Sequence, residues 1–536
     1  MLRGKFGLVL LAAVWLMPCA PAFAAADADT EARIARLEKA NAALIDFIRA
    51  TAHGPAADRL IAQLAVPDSP APVALAAAAG APAIAAAPAT GPATAGPATA
   101  GTPGPGQYAS ASGDASGTGG AAVFGIAPPI SEQLLSHTEW TNTKPLILLR
   151  GRQSGDLAAR ITFGGQAIAM GDWEYSNRAS KFDWVMRFPT NGNEVGNHVS
   201  ELTVHSASLS MTAALTPWMT TYVSMLYNPE QNFGAGTNTT VARNTVTVNS
   251  AFVLLGNLRK FPVYAALGKI DVPFGLNDTV SPFSNSWNWH TFAGLANGAE
   301  LGFVRGGLHL RAMAIEGGAQ FRAVNTPVSG TGVPSLVNNY AFDANYTAHL
   351  QDLSVMAGAS YERGSDYCDP YPAGHFGACH VFNPAWAAYG TATWRRLRVN
   401  VDFARTTDPW LASGTPALAP NGKPNPYAAS PAAIVSARTI GARYALPVTP
   451  QGVDLSFEFS AVHSGAADTP WHRQKQWVLG LAHRYAPGIK GFVEAIHTQG
   501  YAPLTFMSGG NFPDGSSWSD AGAISNVGLV GIEAGF

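Results

Sequence analysis

The sequence predicts an all-β protein, a transmembrane antiparallel β-barrel of about 16 strands, and three observations carry that prediction. Charge is scarce: 13% of the 536 residues are Asp, Glu, Lys or Arg, against roughly 25% in ordinary soluble domains. Hydrophobic residues make up 47% of the chain, yet beyond the N-terminus no run reaches the ~18–20 apolar residues of a spanning helix. The hydrophobicity is instead spread thinly in segments of about ten residues, alternating with polar and small ones, including 56 Gly, as membrane barrels require. The 33 Lys and Arg balance 35 Asp and Glu, for a formal net charge of −2. Near neutrality without basic clusters argues against a nucleic-acid partner.

The elements follow in order. Arg3 and Lys5 precede an apolar stretch from Phe6 to Met17 and an A-x-A site at Ala22-Phe23-Ala24, so residues 1–24 form a secretory signal peptide. Cys19 follows Pro18, where a lipidated cysteine would follow a small residue. Over 25–65 a periplasmic helix is expected. Ile34, Leu37, Asn41, Leu44 and Ile48 alternate spacings of three and four, the seam of a short coiled coil with Asn41 fixing register. With fewer than four heptads, a lone amphipathic helix is the alternative. Residues 66–129, with GPATAGPATAG at 91–101, have too little apolar surface to offset ordering entropy and form a low-complexity linker. Residues 130–157 lead into the barrel, which occupies 158–536.

Within the barrel, strand candidates are joined alternately by short turns and long polar loops. Seven short connections fall near Thr216-Pro217, 257–262, Gly306-Gly307, Gln351-Asp352, Arg395-Arg396, 447–452 and 486–489. Eight long ones cover approximately 174–197, 228–242, 275–298, 317–338, 363–380, 406–431, 464–474 and 499–520. Short periplasmic turns and long extracellular loops are the membrane-barrel arrangement. Within strands, Leu397, Val399, Val401 and Phe403 oppose Arg398, Asn400 and Asp402; Leu455, Phe457 and Phe459 oppose Asp454, Ser456 and Glu458. The apolar face is expected to meet lipid and the polar face a wet lumen. A terminal aromatic, Phe536, on an alternating strand resembles the usual ending of bacterial outer-membrane barrels.

The lumen-lining residues assigned by parity are Arg311, Arg396, Arg398 and Arg484 with Asp343, Glu362, Asp402, Asp454, Glu458, Glu494 and Glu533. Mixed signs speak against the one-signed ladder of a strongly anion-selective pore. Asp454 and Glu458 are expected to be solvated lining rather than an acid–base pair. No G-x-S-x-G, H-E-x-x-H or P-loop pattern occurs, so no enzyme activity and no cofactor are expected. Asp366, Asp369, His375 and His380 match no metal loop and are expected to be solvated. Between them Cys368 and Cys379, in an exported protein, are expected to form a disulfide. Trp287, Trp289 and His290, with Tyr367 and Tyr371, are either an aromatic ligand platform or ordinary girdle residues. The segment before the barrel offers no folded plug of the kind a 22-stranded receptor carries, so passage through a pore narrowed by inward-folded loops is expected.

Residues 268–303, GKIDVPFGLNDTVSPFSNSWNWHTFAGLANGAELGF, carry a strand end Gly268, Lys269, Val272, Pro273, Phe274 and Gly275, then Pro282, then Gly302-Phe303. This resembles the LbtU-like siderophore porins of Gram-negative bacteria, as do the stretches at 200–227 and NNYAFDANYTAHLQDLSVMAGASYERG. The resemblance implies a channel of the outer membrane taking up a ferric siderophore or similar small solute independently of TonB, in contact with outer-membrane lipid and open to assembly as a homotrimer. The P-F-G strand end is shared with phosphate- and polyphosphate-selective porins. A general or anion- or carbohydrate-selective porin is therefore the alternative, and an outer-membrane tether built on the N-terminal helix a second one. Pro273 ends a ladder because it has no N–H to donate. Gly275 permits a reversal that would send the third loop across the pore.

Overall fold

The structure is a computed structural model that describes residues 122–136, 138, 143–179, 181–182, 196–227, 246–317, 320–321, 337–367, 381–411, 417–418, 422–448, 452–502 and 519–536. The signal peptide, the expected helix over 25–65, most of the linker, Tyr371, and Cys368 and Cys379 with their expected disulfide lie outside these residues.

A three-residue strand, β1 (Phe124–Ile126), and two helices, α1 (Pro128–Leu135) and α2 (Lys144–Ser154), precede the barrel. The next strands are β2 (Ile161–Ser176), β3 (His198–Thr216), β4 (Met219–Tyr227), β5 (Val246–Gly256), β6 (Val263–Asp271), β7 (Gly294–Arg305) and β8 (Leu308–Glu316). After the two-residue β9 (Gln320–Phe321) come β10 (Val337–Leu350), β11 (Leu353–Glu362), β12 (Ala385–Trp394), β13 (Leu397–Thr406) and β14 (Ser436–Leu446). The chain ends with β15 (Val453–His463), β16 (Arg473–Ala486), β17 (Ile489–Tyr501) and β18 (Asp520–Gly535). From β2 to β8 and β10 to β18 each strand pairs antiparallel with the next, β8 pairs with β10, and β18 closes on β2 from Ser525↔Ser176 to Gly535↔Gln166. That is a closed barrel of 16 strands, which removes every exposed sheet edge. The seven short turns fall where the Pro/Gly and polar dipeptides place them. Gln351 and Arg395 both sit at positive φ, 50° and 53°, as two-residue hairpin turns demand.

Outward positions are apolar and exposed, for example Leu202, Leu267, Leu301, Phe342, Ile440, Phe457, Leu479, Val493 and Ile532. The inward face differs from the expected wet and uniformly polar lining. On β4 to β6 it presents Tyr222, Phe252, Leu254, Tyr264 and Ala266, all buried. On β16 to β18 and β2 it presents Val478, Phe492, Ile496, Val527, Leu529, Ile168 and Met170, also buried. Two apolar patches inside a membrane barrel need something to cover them, because apolar surface facing a water-filled lumen costs about 25 cal/mol per Å².

The first patch is covered by the lead-in, to which the sequence pattern assigned no part in filling the lumen. Ile147, Leu148 and Leu149 of α2 cluster with Tyr222, Phe252, Leu254 and Tyr264, and Leu148 has no exposed surface. Pro128 and Pro129 open α1 and Pro145 opens α2, where a missing N–H is harmless. Gly155, at φ 99°, ends α2 in the left-handed conformation. Arg152 ties that end to the β3–β4 turn through the Thr216 carbonyl at 2.7 Å. The other end is held by Lys144, whose Nζ meets Asp271 Oδ2 at 2.6 Å in a buried pair. Helix α1 packs on β2, β3 and β18, and its Glu132 meets Arg484 of β16 at 2.6 Å.

Candidate functional site

The second patch is covered by residues 272–293, the connection from β6 to β7, which folds into the barrel rather than out of it. It spans 272–293 where the sequence pattern placed it at about 275–298, because β6 ends at Asp271 and β7 already starts at Gly294. Gly275 has φ 68° and turns the chain inward. Its N–H donates to Ser360 Oγ of β11 at 3.0 Å, and the Asn277 N–H to Asp402 Oδ2 of β13 at 3.1 Å. Asp278 pairs with Arg398 of β13 at 3.1 Å. Further along, Glu458 of β15 accepts from Thr279 Oγ1 at 2.7 Å and the Val280 N–H at 3.0 Å. Glu494 of β17 accepts from the Phe283 N–H at 2.7 Å, the Ser284 N–H at 3.0 Å and the Ser284 hydroxyl. Phe283 stacks on Phe492 with centroids 5.1 Å apart and fills the second apolar patch.

The segment then returns over the same wall. Gln476 of β16 donates to the Asn285 carbonyl, the Trp287 N–H donates to Ser460 of β15, and Thr439 of β14 donates to Asn288 Oδ1. The helix α3 (Trp287–Phe292) forms here because Ser286 caps it, accepting from the Trp289 N–H at 3.3 Å. Backbone N–H groups buried in a barrel need acceptors, and carboxylates on alternate strands supply them at charge-assisted strength. The inner loop also touches the lead-in: the Thr279 N–H donates to the Thr138 carbonyl at 2.9 Å.

The residues singled out in the sequence are placed as follows. Pro273, Phe274 and Gly275 are buried at the start of the inner loop. Trp287 and His290 are buried and Trp289 half-buried, so none stands in a lipid-facing girdle. Ring centroids lie 5.5 Å apart for Trp287 and His290 and 5.0 Å for Trp289 and His290. Tyr367, buried, packs at 5.6 Å on Phe292 and 5.2 Å on Trp410. Asp402 and Glu458 face inward but are 5% and 1% exposed, so Glu458 is a buried anchor and not the solvated lining expected of it. Arg398 pairs with the inner loop and Arg484 with α1, while Asp454 is half-buried near the β14–β15 turn. Arg396 departs from its lumen assignment: it is the second residue of the exposed two-residue turn between Trp394 and Leu397, where a side chain follows the turn and not the strand's parity.

No family model matches the chain. A UPF0422 protein of Coxiella burnetii is 28% identical over 80 residues, which is 15% of this chain and 16% of that protein. The chain thus spans well under a quarter of the curated relative it matches. Among solved structures, the anion-selective porin from Comamonas acidovorans is 12% identical with a TM-score of 0.41, covering 70% of this chain and 100% of that one. Pseudomonas putida OprB is 10% identical with a TM-score of 0.44, covering 74% and 99%. The outer membrane channel DcaP of Acinetobacter baumannii is 12% identical with a TM-score of 0.40, covering 70% and 97%. These are likenesses of barrel architecture.

Two residues that place the inner loop carried only a faint signal in the sequence. A Cβ on Gly441 of β14 would stand 2.4 Å from Val280, and one on Gly480 of β16 would stand 2.3 Å from Pro282. Glycine inside a strand marks such a close approach.

A separate inward network lies on β6 to β12. Arg311 and Asp343, directly opposite in register, pair at 2.8 Å, and Asp343 also accepts from Ser360 Oγ at 2.7 Å and Tyr389 OH at 2.6 Å. Tyr264 OH donates to Glu300 at 2.8 Å. Arg311→Met leaves two buried carboxylates without their cation. A loss of about 3–5 kcal/mol is expected, seen as a lower melting temperature in detergent. An unchanged melting temperature would mean that water reaches the pair.

Beyond β11, Asp366 is buried and not solvated as expected, and that burial pushes its carboxyl well above the usual carboxylate range. The folded chain therefore keeps that proton to higher pH than the unfolded chain. Between the ordinary Asp value of about 4 and the raised one, stability falls as pH rises. Asp366→Asn is expected to flatten this component of a melting-temperature profile run from acid to neutral pH. Parallel profiles for the two proteins would contradict it.

Proposed function

We propose that this chain is an outer-membrane channel of a Gram-negative bacterium, passing a small solute through a lumen constricted by the inner loop, with its N-terminal region and short turns in the periplasm. The observation that carries this reading is the course of residues 272–293 through the barrel, bonded to side chains of β11, β13, β15 and β17. The exposed apolar outer face supports placement in a membrane.

The finer reading is TonB-independent uptake of a ferric siderophore or similar solute. It is supported by the resemblance of residues 268–303 to siderophore porins. Half-buried Trp289, on the inner loop, is the aromatic of the trio with surface left for a solute. The second reading is a general porin. It is favoured by inward charges that pair with one another, as Arg311 with Asp343 and Arg398 with Asp278, and so form no ladder of one sign. Radiolabelled ferric-siderophore uptake in a deletion strain and its complemented counterpart separates them. Loss confined to one siderophore and restored by the gene supports the first reading. Unchanged uptake across a panel, with unselective conductance in planar bilayers, establishes the second.

A further inference from the structure

We propose that the outer wall of the barrel, at the long-loop end of β13 to β16, binds the phosphates of an anionic lipid headgroup. The inference rests on the membrane reading above. Register places four cations on two neighbouring rows of the outward face. Phe403, Arg438, Ala461 and Lys475 stand opposite one another in the first row, and Arg405, Ser436, His463 and Arg473 in the second. With strands about 4.8 Å apart, Arg438 and Lys475 flank Ala461 from either side, and Ala461 has no exposed surface.

The charges that act most strongly on His463 are His472, Arg438, Arg473 and Lys475. The rings of His463 and His472 lie 5.5 Å apart. Two acids stand in the flanking loops, Asp408 and Asp468, both exposed. Asp468 acts on His472, but among the described residues neither acid forms an ion pair with the four cations. Across the barrel the pattern is different: Arg178, at the same end, pairs with Asp520 at 3.5 Å. Gathering like charges on one wall is unfavourable unless an anion joins them.

The position says which anion. The next row toward the membrane centre is Val401, Ile440, Phe459 and Trp477. Phe459 packs on Trp477 at 5.2 Å in that row, and Trp386 on Phe403 at 5.3 Å beside the cations themselves, so aromatics and cations meet at one height. Such an aromatic belt marks the membrane interface. The cations therefore stand at headgroup height on a wall that faces lipid and not the lumen. A molecule that meets both rows has acyl chains below and phosphates above. Arginine guanidinium takes phosphate with two parallel hydrogen bonds.

The test uses the full chain refolded in a neutral detergent, with bisphosphorylated lipid A as probe and its dephosphorylated form as control. The triple variant R438Q/R473Q/K475Q is expected to lose on the order of 100-fold in affinity for the phosphorylated probe, with no change for the control. Millimolar inorganic phosphate should not compete. Equal binding by wild type and variant, equal binding of the two probes, or displacement by inorganic phosphate would each overturn the proposal. Heat-dependent gel mobility reports that the variant barrel is folded, and the single R438Q provides a milder variant with a proportionate loss. Quenching of Trp477 and Trp386 by brominated lipid reports membrane insertion separately. Its absence would remove the membrane reading itself, whereas quenching with no headgroup preference removes only this site.

Discussion

Single-channel conductance is expected to rise severalfold in Glu458→Ala/Glu494→Ala, while the barrel melts as before. The two carboxylates accept three backbone N–H groups of the inner loop, from Val280, Phe283 and Ser284, and the hydroxyls of Thr279 and Ser284. Leaving buried donors without acceptors costs about 1–3 kcal/mol each, part of which lumen water recovers. At about 2 kcal/mol for each carboxylate, the ratio of held to released loop falls by roughly 10³. The ladder of the 16 strands makes no use of these side chains, so the barrel itself stays closed. Residual ties remain at Ser360, Asp402 and Ser460, which is why each single variant should give an intermediate conductance. Glu494→Gln keeps an acceptor oxygen and should have the smaller effect. Planar-bilayer recording checks the series. Conductance equal to wild type in the double variant would mean that residues 272–293 do not limit the path.

The barrel was legible in the sequence because its signals are local. Period-two alternation on β13 and β15, and turn residues such as Gly306-Gly307, each need only neighbours in the chain. The inward reversal was expected, but the anchors of the inner loop were not legible, because its partners are far apart in sequence: Gly275 meets Ser360 and Phe283 meets Glu494, 85 and 211 positions away. Pro273 and Gly275 announced a reversal across the pore, but nothing nearby named the strands that would hold it. The same limit hid the inward apolar patches. On β16 to β18, Val478, Phe492 and Leu529 interrupt the polar-in pattern and read as stray hydrophobes until Phe283 is seen against them. For α2 a local signal was present. Pro145 to Leu149 is apolar on every side of a short helix, and a helix without a polar face is buried. Trp287 and His290, expected as either a ligand platform or girdle residues, are buried in the loop's own packing.

A second large effect is expected at the first apolar patch. Leu148→Asp puts a carboxylate where no surface is exposed, among Tyr222, Phe252 and Leu254, at a cost of several kcal/mol. The barrel strands keep their pairing, so the cheapest response is for α2 to leave the wall. Trypsin should then cut after Lys181 no faster than in wild type, but much faster after Arg150 and Arg152, and conductance should rise. Protected Arg150 and Arg152 with unchanged conductance would show that α2 stays in place. Combining this change with Glu458→Ala/Glu494→Ala asks whether lead-in and inner loop act as one gate. Separate constrictions in series would each limit the current and contribute independently to the energetics of release. The Thr279 N–H bond to the Thr138 carbonyl joins them instead, and groups in one network show coupling energies of about 0.5–3 kcal/mol. Releasing either element should therefore loosen the other, so that protection of Arg150 and Arg152 falls even when only Glu458 and Glu494 are changed.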